Sequence, residues 1–194
     1  AAHAHGASWR GKRVGELGSI AAYSFQNGKL MTAGEGGCLM LPSQELYDAA
    51  FLRHSCGRPP ADRLYRHATP GSNYRMNEFS AAVLRAQLSR LDGQIRLREA
   101  SWAVLHEALA AVPGVVPQGR DPRCDVNPYY MAMFRLVGST EERRNAVVDR
   151  LTARGIPAFV SFRPIYRTET FWAGPVPSGV STEAELAETC PNAD

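Results

Sequence analysis

The chain has 194 residues, of which 44% are hydrophobic and 21% are charged, a composition typical of globular proteins that excludes a disordered or collagen-like chain. Its formal charge is only +3 and its basic residues are scattered, so composition gives little support for nucleic-acid binding. No apolar run approaches the roughly 18 residues needed to span a bilayer. The four cysteines lack the spacing of a zinc site, and we expect a reduced, cytoplasmic protein.

Two short apolar segments predict strands in the first part of the chain. Residues 19–25 (SIAAYSF) and 36–41 (GGCLML) are compact apolar runs separated by a turn rich in glycine, so both are expected to be buried strands. Ser43 is a suitable N-cap for a helix over residues 44–54. Residues 58–73 are polar and interrupted by prolines, which predicts an ordered loop.

The strongest periodic signal predicts a long amphipathic helix. No proline occurs between Glu78 and Val112, Asn77 is a suitable N-cap, and apolar residues recur in steps of three and four. These residues are Leu84, Leu88, Leu91, Ile95, Trp102, Leu105 and Leu109. A coiled coil is the alternative, but the heptads are too few. We expect the helix to bridge two α/β domains, with part of a larger one at residues 1–92 and part of a smaller one at residues 93–194.

After this helix, the pattern predicts a small α/β unit. Residues 130–137 and 156–162 are expected to be strands, and Thr140 is a suitable N-cap for a helix over residues 141–154. The first residues, 1–6, have the pattern of a buried strand that ends in a loop. We therefore interpret the sequence as an internal piece of a longer protein.

Lys29 is the residue most suited to covalent chemistry. Most lysines are solvated surface cations, but Lys29 follows an apolar strand and Gly28 and precedes a turn of small residues. An amine in such surroundings can form a Schiff base with an aldehyde cofactor. A phosphate-binding P-loop is excluded, because that motif requires serine or threonine after the lysine and Leu30 stands there.

Six segments together resemble one family of enzymes. They are AAHAHGA, SFQNGKLMTAGEGG, FLRHSCGRP, GSNYRMNEFSAAVLRAQL, YYMAMFR and CPNAD, and they span nearly the whole chain. They closely resemble the DegT/DnrJ/EryC1/StrS sugar-aminotransferase-like family of fold-type-I enzymes that use pyridoxal phosphate (PLP). The resemblance implies an α/β fold in which a partial large domain is joined by the long helix to a partial small domain.

The resemblance also assigns roles to single residues. Lys29 resembles the lysine that binds PLP as a Schiff base and then moves protons, and Ser24 the hydroxyl that contacts the cofactor phosphate. His3 matches the residue beside the pyridine ring. Asn73 matches an asparagine that reaches the phosphate held by the neighbouring subunit, which implies a homodimer. The aspartate that pairs with the pyridine nitrogen is expected immediately before Ala1, outside this sequence.

Each of these residues also has a simpler interpretation. His3 and His5 would share a face of a strand, but two imidazoles make a poor metal site; we predict none and expect His5 to be structural. Ser24 alone would be a buried hydroxyl bonded to the backbone, and Asn73 alone a turn residue. Cys56 is at a predicted helix end, where cysteines are usually inert.

Candidates for substrate binding lie in the segment FRPIYR. Arg163 and Arg167 could hold a carboxylate through a bidentate contact, with Tyr166 between them, although surface arginines are common. The resemblance favours dehydration and aromatisation of an amino-substituted dehydroshikimate. The alternatives are amino transfer from glutamine or glutamate to a keto-sugar or keto-cyclitol, and a noncatalytic partner subunit of the same fold.

Overall fold

The computed structural model describes residues 1–175, 179 and 182–190. The chain divides into two compact units, Ala1–Val137 and Gly138–Asp194. Of the CPNAD segment only Cys190 belongs to the described residues; residues 191–194 lie outside them. The predicted domain boundary between residues 92 and 93 stays a prediction. Within the described ranges, no helix has the length and apolar character needed to cross a membrane.

The strands of the first unit are short and pair in antiparallel fashion. They are β1 Ser8–Trp9, β2 Lys12–Arg13, β3 Ala21–Ser24, β4 Gly37–Met40, β5 Val115–Pro117, β6 Cys124–Val126 and β7 Phe134–Leu136. One described sheet has the order β2-β1-β6, while β3 pairs with β4 and β5 pairs with β7. In the β3–β4 pair, Ser24 lies opposite Gly37, so the two strands enclose the turn that carries Lys29.

Both helices of the first unit begin at the residues that the sequence predicts. Helix α1 spans Gln44–His54, and the Ser43 hydroxyl accepts a hydrogen bond from the backbone N–H of Leu46 at 3.3 Å. Helix α2 spans Glu78–Ala110 and is 33 residues long, which corresponds to about 50 Å. Asn77 caps it by accepting from the N–H of Ser80 at 2.8 Å. These side-chain oxygens satisfy N–H groups that have no partner inside the helix.

The core of the first unit packs the Lys29 turn against α2. The buried cluster consists of Phe25, Leu30, Met31, Leu84, Leu91 and Ile95. Phe25, Leu30 and Met31 come from the end of β3 and the turn, whereas the other three come from α2. The predicted apolar stripe of α2 is only partly buried, because Leu88 is 60% exposed and Leu105 is 42% exposed. The long helix therefore serves as the support on which the turn is fixed.

The second unit is mainly helical in its described residues. Helix α3 spans Glu141–Thr152 and is capped by Thr140, as the sequence predicts; α4 spans Glu169–Ala173 and α5 spans Glu183–Thr189. The predicted strand over residues 156–162 is wrong: this segment has no regular secondary structure and pairs with no strand in the described part of the chain. A strand requires a neighbour for its backbone hydrogen bonds, and here Phe162 is 80% exposed.

Three other expectations from the sequence need correction. Residues 1–6 form hydrogen-bonded turns rather than the end of a strand, with Ala4 N–H donating to the carbonyl of Ala1 at 3.0 Å. Strand β4 forms as predicted but is exposed, since Leu39 and Met40 are 51% and 48% exposed. The strand predicted at 130–137 is limited to β7. In each case the pattern of apolar residues is present, but the described chain offers no covering or pairing element.

Candidate functional site

The turn that carries Lys29 is closed by backbone hydrogen bonds at its base. The N–H of Phe25 donates to the carbonyl of Gly36 at 2.8 Å, and the N–H of Ala33 donates to the carbonyl of Phe25 at 3.0 Å. At its tip, the N–H of Lys29 donates to the carbonyl of Gln26 at 3.0 Å. Leu30, the next residue, is buried in the core, so Lys29 is half-buried on a rigid support.

The Lys29 side chain lies against an aromatic ring from a distant part of the chain. Its Nζ is 5.1 Å from the centroid of the Tyr130 ring, within the range of a cation–π contact. A Cβ built on Gly28 would lie 3.6 Å from the Tyr130 hydroxyl oxygen and 3.2 Å from Oε1 of Gln26. The Tyr130 hydroxyl therefore lies beside the lysine turn, at ordinary van der Waals distance from a Cβ at Gly28.

His3 lies in the same group of side chains. Its imidazole stacks on the Tyr130 ring, with centroids 4.2 Å apart and an interplanar angle of 26°. Loss of hydration and, secondly, the positive charge of Lys29 lower the pKa of His3. His3 is therefore held towards its neutral form, and it adds no second cation beside the lysine amine.

Ser24 is the last residue of β3 and reaches the same turn. Its hydroxyl oxygen accepts from the backbone N–H of Gln26 at 3.4 Å, a long contact that leaves the hydroxyl proton able to donate to an anion. The N–H of Gly28 is held by Oε1 of Gln26 at 2.9 Å. The structure thus places Ser24 and Lys29 at the two ends of one short hydrogen-bonded segment.

His5 is the most buried polar residue near this group. It is only 3% exposed, and neither ring nitrogen has a hydrogen-bond partner among the described residues. Its ring packs against those of Tyr23 and Phe25, with centroids 5.3 and 6.0 Å away. Burial is the main cause of the lowered pKa of His5, the nearby backbone of Ser24 opposes it, and the charge of Lys29 adds to it. A neutral imidazole therefore lies beneath the turn.

Asn73 is placed elsewhere in the first unit. It is exposed, it forms an isolated antiparallel bridge with Ser55, and its Oδ1 accepts from the N–H of Arg75 at 3.3 Å. Within the described residues it makes no hydrogen bond to His3, Ser24 or Lys29. Its side-chain amide therefore remains available to a group outside the fold of its own unit.

The two arginines proposed for substrate binding lie in the second unit and contact glutamates. Arg163 Nη2 is 3.0 Å from Oε1 of Glu141, and Arg167 Nε is 3.8 Å from Oε1 of Glu183. Tyr166 is 7% exposed, and its carbonyl accepts from the indole N–H of Trp172 at 2.6 Å. Tyr166 thus serves as a packed anchor, while Arg163 and Arg167 carry the exposed charge.

Tyr130 is the residue that sequence reasoning did not identify as part of the site. The segment YYMAMFR carries part of the family resemblance, but its apolar pattern predicts only a strand. The one available signal was the pair of adjacent tyrosines at a position between two turns. Nothing local predicts contact with His3 and Lys29, because both lie about 100 residues or more earlier in the chain.

Comparison with known proteins gives consistent matches over the chain. The family model described as the DegT/DnrJ/EryC1/StrS aminotransferase family matches residues 1–194. The chain is 62% identical over 196 residues to 3-amino-5-hydroxybenzoate synthase from Amycolatopsis mediterranei (strain S699), covering 100% of this chain and 50% of that protein. It is 35% identical over 176 residues to a putative L-glutamine:3-amino-2,3-dideoxy-scyllo-inosose aminotransferase from Micromonospora echinospora, covering 88% and 42%.

A solved structure extends the comparison to the fold. A crystal structure of 3-amino-5-hydroxybenzoic acid synthase superposes with a TM-score of 0.94 at 61% identity, covering 100% of this chain and 50% of that chain. The chain thus spans about half the length of the relatives that it matches.

Proposed function

The chain belongs to the DegT/DnrJ/EryC1/StrS aminotransferase family, and we propose that its full-length protein uses PLP to convert 5-amino-5-deoxy-3-dehydroshikimate to 3-amino-5-hydroxybenzoate. Its fold is the α/β fold of fold-type-I PLP enzymes, of which this chain forms a part, as the sequence predicts. The observation that carries the proposed reaction is the 62% identity, over the whole chain, to a protein named for this product.

The residues around Lys29 have the chemistry to hold PLP. When bound, PLP supplies an aldehyde that condenses with amines and a ring that accepts electrons from the carbon bearing the amine. Lys29 offers the amine on a rigid turn, Ser24 offers a hydroxyl to the phosphate, and His3 offers an imidazole face to the ring. The lowered pKa of His3 supports this role, since a neutral imidazole does not repel a positively charged ring nitrogen.

Lys29 is also the proposed base of the reaction. With substrate bound, the amine at Nζ of Lys29 would remove the proton from the substrate carbon that bears the amine. The neighbouring hydroxyl leaves and takes up a proton, so that one water is lost. Tautomerisation then gives the aromatic product, and aromaticity makes the overall reaction favourable. Burial of Leu30 and the hydrogen bonds of the turn fix where Nζ can act.

A homodimer in the cytoplasm is part of the proposal. The exposed Asn73 is proposed to hold the phosphate of the cofactor bound by the neighbouring subunit. This role is supported by its exposed side chain and by its lack, among the described residues, of hydrogen bonds to the Lys29 group. The cysteines Cys38, Cys56, Cys124 and Cys190 are unpaired, which suits a reducing compartment.

Amino transfer to a keto-cyclitol is the second candidate function. It is favoured by the 35% identity to the putative scyllo-inosose aminotransferase from Micromonospora echinospora. Such a reaction would use Lys29, Ser24 and His3 in the same way and differ in the substrate. A noncatalytic partner subunit is disfavoured, because Lys29 is retained on a well-supported turn and a subunit without turnover has no chemical need for that amine.

The test uses the full-length protein with PLP and 5-amino-5-deoxy-3-dehydroshikimate, without an amino donor. We expect the ultraviolet absorbance of an aromatic amino acid to appear, and Lys29→Ala to abolish it. Lys12→Ala, which removes an exposed lysine from β2, is the matched control and should retain full activity. Absence of the aromatic product, together with glutamine-dependent amination of a keto-cyclitol, would instead establish the aminotransferase.

A further inference from the structure

Tyr130 is fixed by the packing of its neighbour, Tyr129. The Tyr129 ring is buried and stacks on Trp102 of α2, with centroids 5.1 Å apart. Its carbonyl accepts from Nη1 of Arg98 at 3.0 Å, and its N–H donates to Oδ1 of Asn127 at 3.0 Å. The backbone before Tyr130 is therefore tied to the long helix through the carbonyl of Tyr129 and to the side chain of Asn127 through its N–H.

The backbone conformation of Tyr129 separates the two tyrosine side chains. Its φ is +41°, in the left-handed region that residues other than glycine rarely adopt and that costs about 1 kcal/mol or more. At this bend Tyr129 packs on Trp102, while Tyr130 packs on His3 and against the core cluster that holds the Lys29 turn. Strain of this kind persists only where the surrounding contacts hold it.

The Tyr130 ring thus has two partners from the proposed cofactor site. It stacks on the His3 imidazole at 4.2 Å, and its ring centroid is 5.1 Å from Nζ of Lys29. Its hydroxyl oxygen lies beside Gly28, the residue before the lysine. One ring therefore contacts both residues that the family resemblance assigns to the aldehyde and the pyridine ring. Tyr130 follows α2 in the sequence, whereas His3 and Lys29 precede it.

We propose that Tyr130 is a positioning residue whose ring face holds the Lys29 amine and the His3 imidazole in fixed positions relative to each other. This inference rests on the proposed function of Lys29. The ring face attracts the lysine ammonium and limits its rotamers, so that the amine is presented in one direction before the cofactor arrives. Because the ring face carries the effect, the hydroxyl is dispensable and phenylalanine can replace tyrosine.

The experiment compares four forms of the full-length protein: wild type, Tyr130→Phe, Tyr130→Met and Tyr130→Leu. Methionine fills space with a flexible apolar chain but has no ring, and leucine is a second non-aromatic replacement in case one variant does not fold. Tyr47→Leu, which removes a half-exposed tyrosine from α1, is the matched control. Thermal unfolding followed by circular dichroism establishes which variants are folded.

The main measurement is the NMR chemical shift of the Lys29 ε-methylene group in PLP-free protein labelled with 13C-lysine. This chain contains two lysines, Lys12 and Lys29, so exposed Lys12 serves as an internal reference and Lys29→Arg gives the assignment. We expect the wild-type, Tyr130→Phe and Tyr47→Leu proteins to show a ring-current shift at Lys29. Tyr130→Met and Tyr130→Leu should lose it and bind PLP about two- to fivefold more weakly.

The outcomes separate this inference from the proposed function. An unchanged Lys29 shift in a folded non-aromatic variant, or loss of the shift in Tyr130→Phe, would overturn the positioning role. Borohydride reduction of wild-type protein with PLP, followed by peptide mapping, tests the function of Lys29 independently. If no PLP is trapped on Lys29 while the ring-current shift is present, the proposed function fails and the contact between Tyr130 and Lys29 stands.

Discussion

The guanidinium of Arg163 forms an ion pair with Glu141, with Nη2 and Oε1 3.0 Å apart. The two side chains are 68% and 52% exposed, so the pair contributes at most about 1 kcal/mol. The same glutamate oxygen is 3.0 Å from Nη2 of Arg144. We propose that Arg163 exchanges Glu141 for a carboxylate on the substrate, because loss of this weak pair costs little and Arg144 continues to neutralise the glutamate.

We expect Arg163→Gln to raise the KM for 5-amino-5-deoxy-3-dehydroshikimate by about tenfold or more, with a smaller effect on kcat. A hydrogen bond to a charged group contributes about 1.5–3 kcal/mol to binding. The substrate carboxylate takes no part in the reaction, so its loss of contact affects KM more than kcat. Arg163→Lys should be intermediate, because an ammonium cannot form two parallel bonds. Steady-state kinetics of the full-length protein provide the measurement.

Arg144→Gln is the matched control for this prediction. It removes a guanidinium that contacts the same oxygen of Glu141, and it should leave KM unchanged. A normal KM in Arg163→Gln would exclude Arg163 from substrate binding, and an equal rise in both variants would assign the effect to the charge of Glu141.

The proposed role of Asn73 in the neighbouring subunit can be tested with mixed dimers. One subunit carries Lys29→Ala and the other carries Asn73→Ala, and differently tagged copies allow the heterodimer to be purified. If Asn73 acts across the dimer, one of the two sites contains both substitutions and the other has neither. We therefore expect the heterodimer to have about half of the wild-type turnover, although each homodimer is impaired.

The same experiment distinguishes the alternative arrangement. If Asn73 served its own subunit, every site in the heterodimer would carry one substitution and turnover would stay at the level of the homodimers. Gel filtration of each variant establishes that both form dimers. A monomeric wild-type protein would contradict the proposal at the outset.

Local sequence information predicts helices α1, α2 and α3 of this fold, but not the short helices α4 and α5. Ser43, Asn77 and Thr140 each accept a hydrogen bond from a backbone N–H in the first turn of the helix that they precede. Capping and the helical period act over a few residues, so they can be read without knowing what the helix packs against. The position of Lys29 after a strand and within a turn of small residues was likewise a local feature.

Pairing and contact between distant segments could not be predicted in this way. Residues 156–162 have the composition of a strand, but a strand forms only where another segment offers its backbone, and no described segment does. The approach of Tyr130 to His3 and Lys29 depends on the left-handed bend at Tyr129 and on packing against α2. Neither has a signature in the neighbouring sequence.

Gly57 is required by the close approach of two loops beside Asn73. Its φ is +74°, and a Cβ at this position would lie 1.8 Å from the carbonyl oxygen of Thr69. Its N–H also donates to the carbonyl of Leu52 at 2.6 Å. An added methyl group would therefore force the backbone of the Thr69 loop to move, and that loop leads directly to Asn73.

We expect Gly57→Ala to lower the free energy of unfolding by more than Gly114→Ala. Gly114 has a φ of +79° with nothing within 4 Å, so both alanines incur the roughly 1–2 kcal/mol of a left-handed residue. The clash at Gly57 should add roughly 1–3 kcal/mol. Urea unfolding of the full-length proteins measures the difference, and equal effects of the two substitutions would show that the loops separate without cost.

Burial of His5 makes stability depend on pH in a defined direction. The pKa of His5 is lowered from 6.5 in the folded chain, first by burial and secondly by the charge of Lys29. Between 6.5 and the lower folded value, the unfolded chain binds a proton that the folded chain does not. The free energy of unfolding therefore falls as the pH is lowered through this window, and it is independent of His5 above it.

We expect the free energy of unfolding of the PLP-free full-length protein to decrease between pH 7 and pH 5, and His5→Gln to reduce that decrease. Glutamine has a similar length and does not titrate. We expect the variant to be less stable than wild type at pH 8 but to lose less free energy of unfolding when the pH is lowered. His106→Gln, in which the ring beside Trp102 is removed instead, is the control for loss of an imidazole elsewhere in the first unit. Urea titrations at pH 8, 7, 6 and 5 give the slopes; an unchanged slope in His5→Gln would mean that the His5 ring takes up its proton as easily in the folded chain as in the unfolded one.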